Sequence, residues 1–160
     1  MKAHAVGKHL SAVERAYLAG FIDGDGAIMA TIERHAEKRF GFRVRLEIKI
    51  TQYHRHDIAW LIPATGVGYI RQNNRTYEWV VRNRHAVAWL IDVIAPYIRT
   101  KTKQVKIARR MVRRTMLTKR DLVTMAQLAD TLSSFNVRSK DRRKNYASMI
   151  KVSAPLTTDS

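Results

Sequence analysis

Hydrophobic and polar positions change their period along the first part of the chain. Residues 12–22 have a helical pattern, and Ser11 and Glu14 at its start stand at the spacing of a capping box. From Ile28 to Glu33 apolar and polar residues alternate, as they do in a half-buried strand. The pattern therefore predicts a helix that is followed closely by a strand.

The clearest strand prediction covers residues 42–51, after a polar connection at 35–39. Its apolar face comprises Val44, Leu46, Ile48 and Ile50, and the alternate positions are charged or polar. Such a strand would pack one side against helices and leave a charged side open. At about 3.3 Å per residue it would be roughly 33 Å long, close to one turn of B-DNA at about 34 Å.

The middle of the chain predicts a second helix, two more strands and a third helix. The second helix is expected at 52–62 and to end at Pro63, with its core residues at Ile58, Trp60, Leu61 and Ile62. Strands are predicted at 66–71 and 76–82, joined by a turn at 73–74, and an amphipathic helix at 86–97. The expected inward-facing residues of the last strand and helix are Tyr77, Trp79, Val81, Val87, Leu90, Ile91 and Ile94.

This order of elements, αββαββα, predicts an α+β fold in which helices cover one face of a four-stranded antiparallel sheet. Extra C-terminal helices are expected in the basic segment 99–120 and at 121–132. The chain is accordingly divided into an N-terminal arm (1–10), a domain (11–132) and a basic C-terminal helix or arm (133–160), whose end at 155–160 is expected to be disordered.

The net charge narrows the choice of partner. Thirty Lys and Arg against thirteen Asp and Glu give +17, which favours a polyanion such as nucleic acid. On charge alone, a ribosomal or other RNA-binding protein is a serious alternative. The chain has no Cys, which excludes disulfides and thiolate zinc sites. No apolar run approaches 18 residues, so no membrane-spanning helix is expected.

The first predicted helix ends in two carboxylates set among glycines, and small residues recur at Ala16, Gly20 and Gly24. An interior glycine costs a helix about 1 kcal/mol relative to alanine, so this face predicts the close approach of another backbone. If two copies of the helix meet there, their terminal carboxylates converge, which requires a cation between them. An acidic turn that caps the helix is the simpler alternative.

The run 17–26 resembles the signature of the LAGLIDADG homing endonucleases, with Phe21, Gly24 and Ala27 as variants. Because the motif occurs once, the resemblance implies the single-motif type, a homodimer formed through this helix with a saddle-shaped sheet on DNA. The resemblance covers roughly residues 11–108 and is strongest at 17–26 and around 51–52, 66–71 and 99–104. The implied dimer interface consists of Ala16, Tyr17, Ala19, Gly20, Asp23 and Gly24.

The resemblance also implies a metal-dependent catalytic site. Asp25 would bind the cation with the Gly24 carbonyl as a further ligand, Gln52 would orient water, and Lys101 would stabilise phosphate charge. The implied cation is Mg²⁺ or Mn²⁺, while Ca²⁺ would bind without supporting cleavage. The implied product is a staggered double-strand break with 3′ overhangs.

Two positions depart from the arginines that are common in the family, namely His56 and Asn73. The arginines that could compensate for them are Arg55, Arg71 and Arg75.

Residues on the open side of the sheet are predicted to contact DNA. Arg43 and Arg45 have the fork geometry for guanine edges, and Glu47 is of the type that accepts from a cytosine amino group. The full predicted set is Met29, Thr31, Glu33, Arg43, Arg45, Glu47, Lys49, Thr51, Tyr69, Arg71, Asn73, Arg75, Glu78, Arg82, Lys103, Arg142 and Arg143.

The resemblance implies an endonuclease that cuts a long pseudo-palindromic DNA site and promotes the insertion of a mobile intron. The alternatives are an intron maturase, a relative that binds nucleic acid without cutting it, and an RNA-binding structural protein. Retention of Asp25, Gln52 and Lys101 together favours an active enzyme. Host intron RNA is a further implied partner, a membrane is not, and the implied location is intracellular, in a chloroplast, a mitochondrion or a prokaryotic cytoplasm.

Overall fold

The computed structural model describes residues 6–136 and 145–153. The predicted α+β order is confirmed, with the middle helix divided into two short helices. In chain order the elements are α1 (Ala12–Asp25), β1 (Gly26–Arg34), β2 (Phe42–Gln52), α2 (His56–Ala59), α3 (Leu61–Thr65), β3 (Tyr69–Asn73), β4 (Thr76–Val81), α4 (Arg84–Ile94), α5 (Thr102–Arg113), α6 (Lys119–Asn136) and α7 (Tyr146–Ser153).

The strands form a four-stranded antiparallel sheet in the order β1-β2-β4-β3. β1 pairs with β2 along its whole length, from Gly26 opposite Ile50 to Arg34 opposite Phe42. β2 also pairs with β4, which in turn pairs with β3 at the other edge. The long strand β2 therefore lies inside the sheet and connects its two hairpins.

The apolar face of the sheet is buried under the helices. Ile28 in β1 and Ile48 in β2 are fully buried, and so is Trp79 in β4, whose indole N–H donates to the carbonyl of Val67 at 3.1 Å. Each such side chain stabilises the fold by about 1.5–3 kcal/mol. The predicted stripe of α4 is confirmed, since no exposed surface remains on Val87, Leu90, Ile91 and Ile94.

Three local predictions between β2 and β4 are wrong. The helical segment does not end at Pro63, which lies in the first turn of α3, where a proline has no intrahelical hydrogen bond to lose. The segment ends at Gly66, and β3 begins only at Tyr69, because Gly66 and Gly68 have φ values of +73° and +82° that a strand does not adopt. Trp60 is 39% exposed instead of buried in the core.

Both ends of the described chain pack on the domain. Lys8 donates its amide to the carbonyl of Thr65 at 2.9 Å, and Leu10 is buried, so the last residues of the predicted N-terminal arm are part of the fold. At the other end α6 runs through the predicted boundary at 132–133, and α7 packs on α6. The predicted disordered end at 155–160 lies outside the described residues. Within 6–136 and 145–153, no helix has the length and apolarity needed to cross a membrane.

Substitution of Ser11 tests what fixes the start of α1. The Ser11 hydroxyl accepts a hydrogen bond from the Glu14 amide at 3.2 Å, and the Glu14 carboxylate accepts one from the Ser11 amide at 2.7 Å. We expect Ser11→Ala to lower the free energy of unfolding by about 0.5–2 kcal/mol, measured by urea denaturation. Ser11→Asp keeps an acceptor and should cost less. Equal losses in the two variants would mean that the cap does not fix the helix start.

Candidate active site and nucleic-acid interface

The carboxylate of Asp25 lies at the C-terminal end of α1, where the helix passes directly into β1. Because Gly26 pairs with Ile50, the end of β2 comes beside the end of the helix. There the Gln52 side-chain amide donates to Asp25 Oδ2 at 2.7 Å. Asp25 is exposed and Gln52 is half-buried, so the pair forms an accessible polar site.

Asp23 holds the loop that carries Lys101. Its carboxylate accepts hydrogen bonds from the amides of Arg99 (2.7 Å) and Lys101 (3.0 Å), and Lys101 Nζ donates to the Asp23 carbonyl at 2.7 Å. Burial alone would raise the pKa of Asp23, but these amide hydrogen bonds outweigh it and hold the pKa below its usual value. The Lys101 ammonium therefore lies against the C-terminal end of α1, where the helix dipole favours a cation.

The oxygen donors at this end of α1 fit a hard divalent cation. Asp25 supplies an exposed carboxylate, and the Gly24 carbonyl lies in the last turn of the helix, after Ile22, whose carbonyl accepts from the Gly26 amide. Mg²⁺ prefers such oxygen ligands. Within the described ranges, no group of three or more His, Cys, Asp or Glu residues could hold a metal ion.

One face of α1 is bare. Ala16, Gly20 and Gly24 are exposed, and a Cβ built on either glycine meets no atom within 4 Å. Packing within one subunit therefore does not explain these glycines. Ala19, in contrast, faces the core beside Ile22 and has no exposed surface, so its predicted place in a dimer interface is wrong.

An exposed aromatic group borders this bare face. The ring of Trp60 lies 5.6 Å from that of Tyr17 and stacks on that of Phe21, at 6.4 Å between centroids. Tyr17, Trp60 and the buried Leu10 line an open apolar pocket of about 440 Å³. Contiguous exposed apolar surface is a common feature of interaction sites, and this pocket lies beside the bare helix face. The sequence did not predict this group, because the helical pattern around Trp60 assigned its side chain to the core.

The side of the sheet away from the helices carries most of the predicted DNA-contacting residues. Lys103 is an exception: it lies in α5, with its ammonium 5.4 Å from the ring centre of Phe135. Arg142 and Arg143 lie outside the described residues. The sheet and its turns present Met29, Thr31, Glu33, Arg43, Arg45, Glu47, Lys49, Thr51, Tyr69, Arg71, Asn73, Arg75, Glu78 and Arg82.

Two carboxylates on this open face are buried beneath cations. Glu78 is 1% exposed and contacts Lys49 Nζ at 2.5 Å and Arg71 Nε at 2.6 Å. Glu47 is 6% exposed and contacts Arg82 Nε at 2.5 Å and Arg71 Nη2 at 3.4 Å. We call these five side chains the ion-pair network. In this arrangement the oxygens of Glu47 and Glu78, both of which were predicted to contact DNA, are engaged by cations and covered.

Two members of the ion-pair network, Glu78 and Arg71, have pKa values shifted by their contacts. Burial alone would raise the pKa of Glu78, but hydrogen bonds from Lys49, Arg71 and Asn73 lower it to about 2. The hydrogen bond to Glu78 in turn raises the pKa of Arg71. Glu78 and Arg71 therefore stabilise each other's charged forms.

A family model described as LAGLIDADG endonuclease matches residues 18–109. The chain belongs to the LAGLIDADG endonuclease family. The DNA endonuclease I-CreI of Chlamydomonas reinhardtii is 28% identical over 98 residues, and the match covers 60% of each protein, less than two thirds of that relative. The DNA endonuclease I-CvuI of Chlorella vulgaris is 31% identical over 120 residues, which are 72% of this chain and 74% of that protein.

Solved structures of LAGLIDADG homing endonucleases have the same fold. I-CvuI in complex with its target in the presence of Ca has a TM-score of 0.75 at 25% identity, over 88% of this chain and 91% of that one. The archaeal intron-encoded homing endonuclease I-Vdi141I, complexed with DNA, has a TM-score of 0.76 at 22% identity, over 88% and 96% of the two chains. The structural likeness therefore covers more of the chain than the LAGLIDADG family model does.

The two unusual positions of this LAGLIDADG protein have different surroundings. Asn73 donates to Glu78 Oε1 at 3.3 Å and so joins the edge of the ion-pair network. The His56 side chain is 81% exposed and contacts Asp57 at 3.1 Å. Of the arginines that could compensate, Arg71 is engaged by the network, while Arg55 and Arg75 are exposed.

Glu78 should make the free energy of unfolding depend on pH under acidic conditions. Its pKa of about 2 in the folded state lies below the ordinary 4.5, so the stability it contributes is complete above about pH 4.5 and is lost as the pH falls through about 2. At about 1.36 kcal/mol per pKa unit, we expect an acid-induced loss on the order of 3 kcal/mol in the free energy of unfolding, and Glu78→Gln should lack it.

The measurement is urea denaturation over this pH range. The control Glu37→Gln removes an exposed carboxylate from the loop between β1 and β2 and should retain the acid-induced loss. A stability difference between wild type and Glu78→Gln that stays constant from about pH 6 to about pH 2 would contradict the role of the network.

Proposed function

We propose that the protein is a homodimeric homing endonuclease that cuts both strands of a specific DNA site. The observation that carries the proposal is the arrangement at the end of α1, beside a bare helix face: Gln52 donates to Asp25, and Lys101 donates to the carbonyl of Asp23. Family membership and two relatives named as DNA endonucleases support this reaction class. The net charge of +17 supports a polyanionic substrate.

A second copy seated on the bare face of α1 would complete the site. Small side chains at Ala16, Gly20 and Gly24 let two helix backbones approach, and the neighbouring apolar pocket would be covered at the same time. A two-fold contact is self-complementary. It would bring both Asp25 carboxylates to one axis and present two sheets to DNA, so the recognised site would be long and pseudo-palindromic.

Each residue of the site would have a different role in phosphodiester hydrolysis. Asp25, with the Gly24 carbonyl, would hold the cation. Bound Mg²⁺ or Mn²⁺ would supply the charge that polarises the scissile phosphate, whereas Ca²⁺ would bind without supporting cleavage. Gln52, oriented by its hydrogen bond to Asp25, keeps a carbonyl oxygen to orient the attacking water, and Lys101 would stabilise negative charge on the phosphate.

The symmetric pair of sites would cut the two strands at staggered positions and leave 3′ overhangs. Such a break would promote the insertion of a mobile intron, a role supported by the intron-encoded relative I-Vdi141I. The proposed activity requires access to genomic DNA, and so we infer an intracellular location in an organelle or a prokaryotic cytoplasm. Host intron RNA stays a proposed additional partner.

Substitution of Asp25 tests the catalytic assignment. Because Asn keeps the size of the side chain but loses the anionic oxygen, Asp25→Asn should lower Mg²⁺-dependent cleavage by more than about 100-fold and leave DNA binding largely intact. The measurement is cleavage selection from a randomised duplex library, followed by rates on the selected site. Asp92→Asn, on the exposed side of α4, makes the same charge change away from the site. Unchanged cutting by Asp25→Asn would reject the assignment.

A large side chain at Gly20 tests the dimer. A Cβ at Gly20 meets nothing within its own subunit, so Gly20→Leu should fold but keep two α1 helices apart. We expect sedimentation to show a monomer or aggregates in place of a dimer, with loss of double-strand cleavage. Gln127→Leu adds the same side chain to an exposed position of α6 and should remain a dimer. A normal Gly20→Leu dimer would refute the helix interface.

A further inference from the structure

The ion-pair network occupies the middle of the open sheet face and connects three strands. Its acids and cations are already paired in the free subunit. Val80, which shares this face of β4, has no exposed surface although it lies outside the main apolar core. The charged side chains of the ion-pair network are therefore already packed and paired before DNA binds. Its members are Glu47 and Lys49 of β2, Arg71 of β3, Glu78 of β4 and Arg82 directly after β4.

Arg71 is fixed by both acids. Its Nε donates to Glu78 Oε2 at 2.6 Å and its Nη2 donates to Glu47 Oε1 at 3.4 Å, while the side chain stays 33% exposed. A guanidinium has five N–H donors, so the remaining ones lie on Nη1 and Nη2, at the end of the fork. That end is suited to two acceptors on one base edge, which guanine presents as O6 and N7.

Glu47 is the only acid among the described residues that contacts both Arg71 and Arg82. Oε2 accepts from Arg82 Nε at 2.5 Å, which leaves the terminal nitrogens of Arg82 to solvent, with the side chain 35% exposed. Arginine side chains are long and lose rotamer freedom on binding. A bridge that holds two of them in advance reduces this cost and limits their swing toward the DNA backbone.

We propose that Glu47 is a positioning residue for sequence recognition, which acts through Arg71 and Arg82 by directing their outward N–H groups toward base edges. The inference rests on the proposed function, because it requires the sheet to bind duplex DNA. It assigns a specific substrate feature: a guanine, read through O6 and N7, at the symmetric pair of positions under Arg71.

Loss of the bridge has two expected consequences. In Glu47→Gln, Arg82 loses its carboxylate partner and Arg71 keeps only its contact with Glu78, so the outer N–H groups of both arginines can turn to phosphates. Preference for the Arg71-contacted base should therefore fall about tenfold. Nonspecific affinity should rise, and the slope of log affinity against log salt should become steeper by about 0.9 for each new phosphate contact.

The experiment compares the binding of wild type and Glu47→Gln to a randomised duplex library without divalent cation, over a salt series. Asp92→Asn removes one carboxylate from α4 and should keep the wild-type base preference. Base preference is a ratio of affinities for different sites. A partly unfolded sample lowers binding to all sequences equally and so leaves this ratio unchanged. Thermal unfolding of each variant gives an independent check of folding. Should Glu47→Gln not fold, Glu47→Asp keeps the charge but is too short to bridge both arginines, and its preference should also fall.

An Arg71→Ala background separates positioning from direct contact. If Glu47 acts through Arg71, Glu47→Gln causes no further loss of preference at that position in Arg71→Ala. A further loss there would mean that Glu47 contacts the base itself and would overturn the proposal, as would an unchanged preference in Glu47→Gln alone. Absence of any sequence preference in the wild type would instead reject the proposed function. The failure of the positioning role and the failure of the proposed function are therefore distinguishable.

Discussion

The direct passage from α1 into β1 is the constraint on which the rest of the structure depends. Asp25 is the last helical residue and Gly26 the first of the strand, and a Cβ on Gly26 would lie 2.7 Å from the Ile22 carbonyl. Pairing of Gly26 with Ile50 then fixes Gln52 beside Asp25. A slip of one residue would turn every strand side chain to the opposite face. The register of β1 against β2 therefore fixes both the polar site and the side chains that the open sheet face presents.

Both acids of the ion-pair network are paired with its three cations within the protein before any partner binds. A buried ion pair is weak evidence for stability, because desolvation of both charges offsets much of their attraction. Glu47 and Glu78 would also repel DNA phosphates if they were exposed. Neither stability nor DNA affinity therefore explains well why carboxylates occupy these two positions. Restriction of the directions in which Arg71 and Arg82 can reach does explain them. Such restriction favours base edges, which differ among sequences, over phosphates, which do not.

Sequence patterns predicted the parts of the fold that local interactions determine. The capping box of Ser11, the alternation in β2 and the buried stripe of α4 each depend on residues a few positions apart. The exposure of Trp60 and the orientation of Ala19 depend on tertiary packing, which short periodic segments do not encode. The contact of Glu47 with Arg82 spans 35 residues and requires the register of β2 against β4. The alternation of residues placed Glu47 and Arg82 on one face of the sheet but could not predict the ion pair between them.

The glycines of α1 connect assembly with chemistry. Each costs the helix about 1 kcal/mol relative to alanine, and the open space around Gly20 and Gly24 shows that the subunit's own packing does not require them. A second α1 at this face would explain them, yet it would also bring two exposed Asp25 carboxylates together. That approach is unfavourable until a cation lies between them, and phosphate oxygens add further negative charge. The cation and the DNA should therefore complete the site that the dimer contact begins, so that a complete cleavage site exists only on bound DNA.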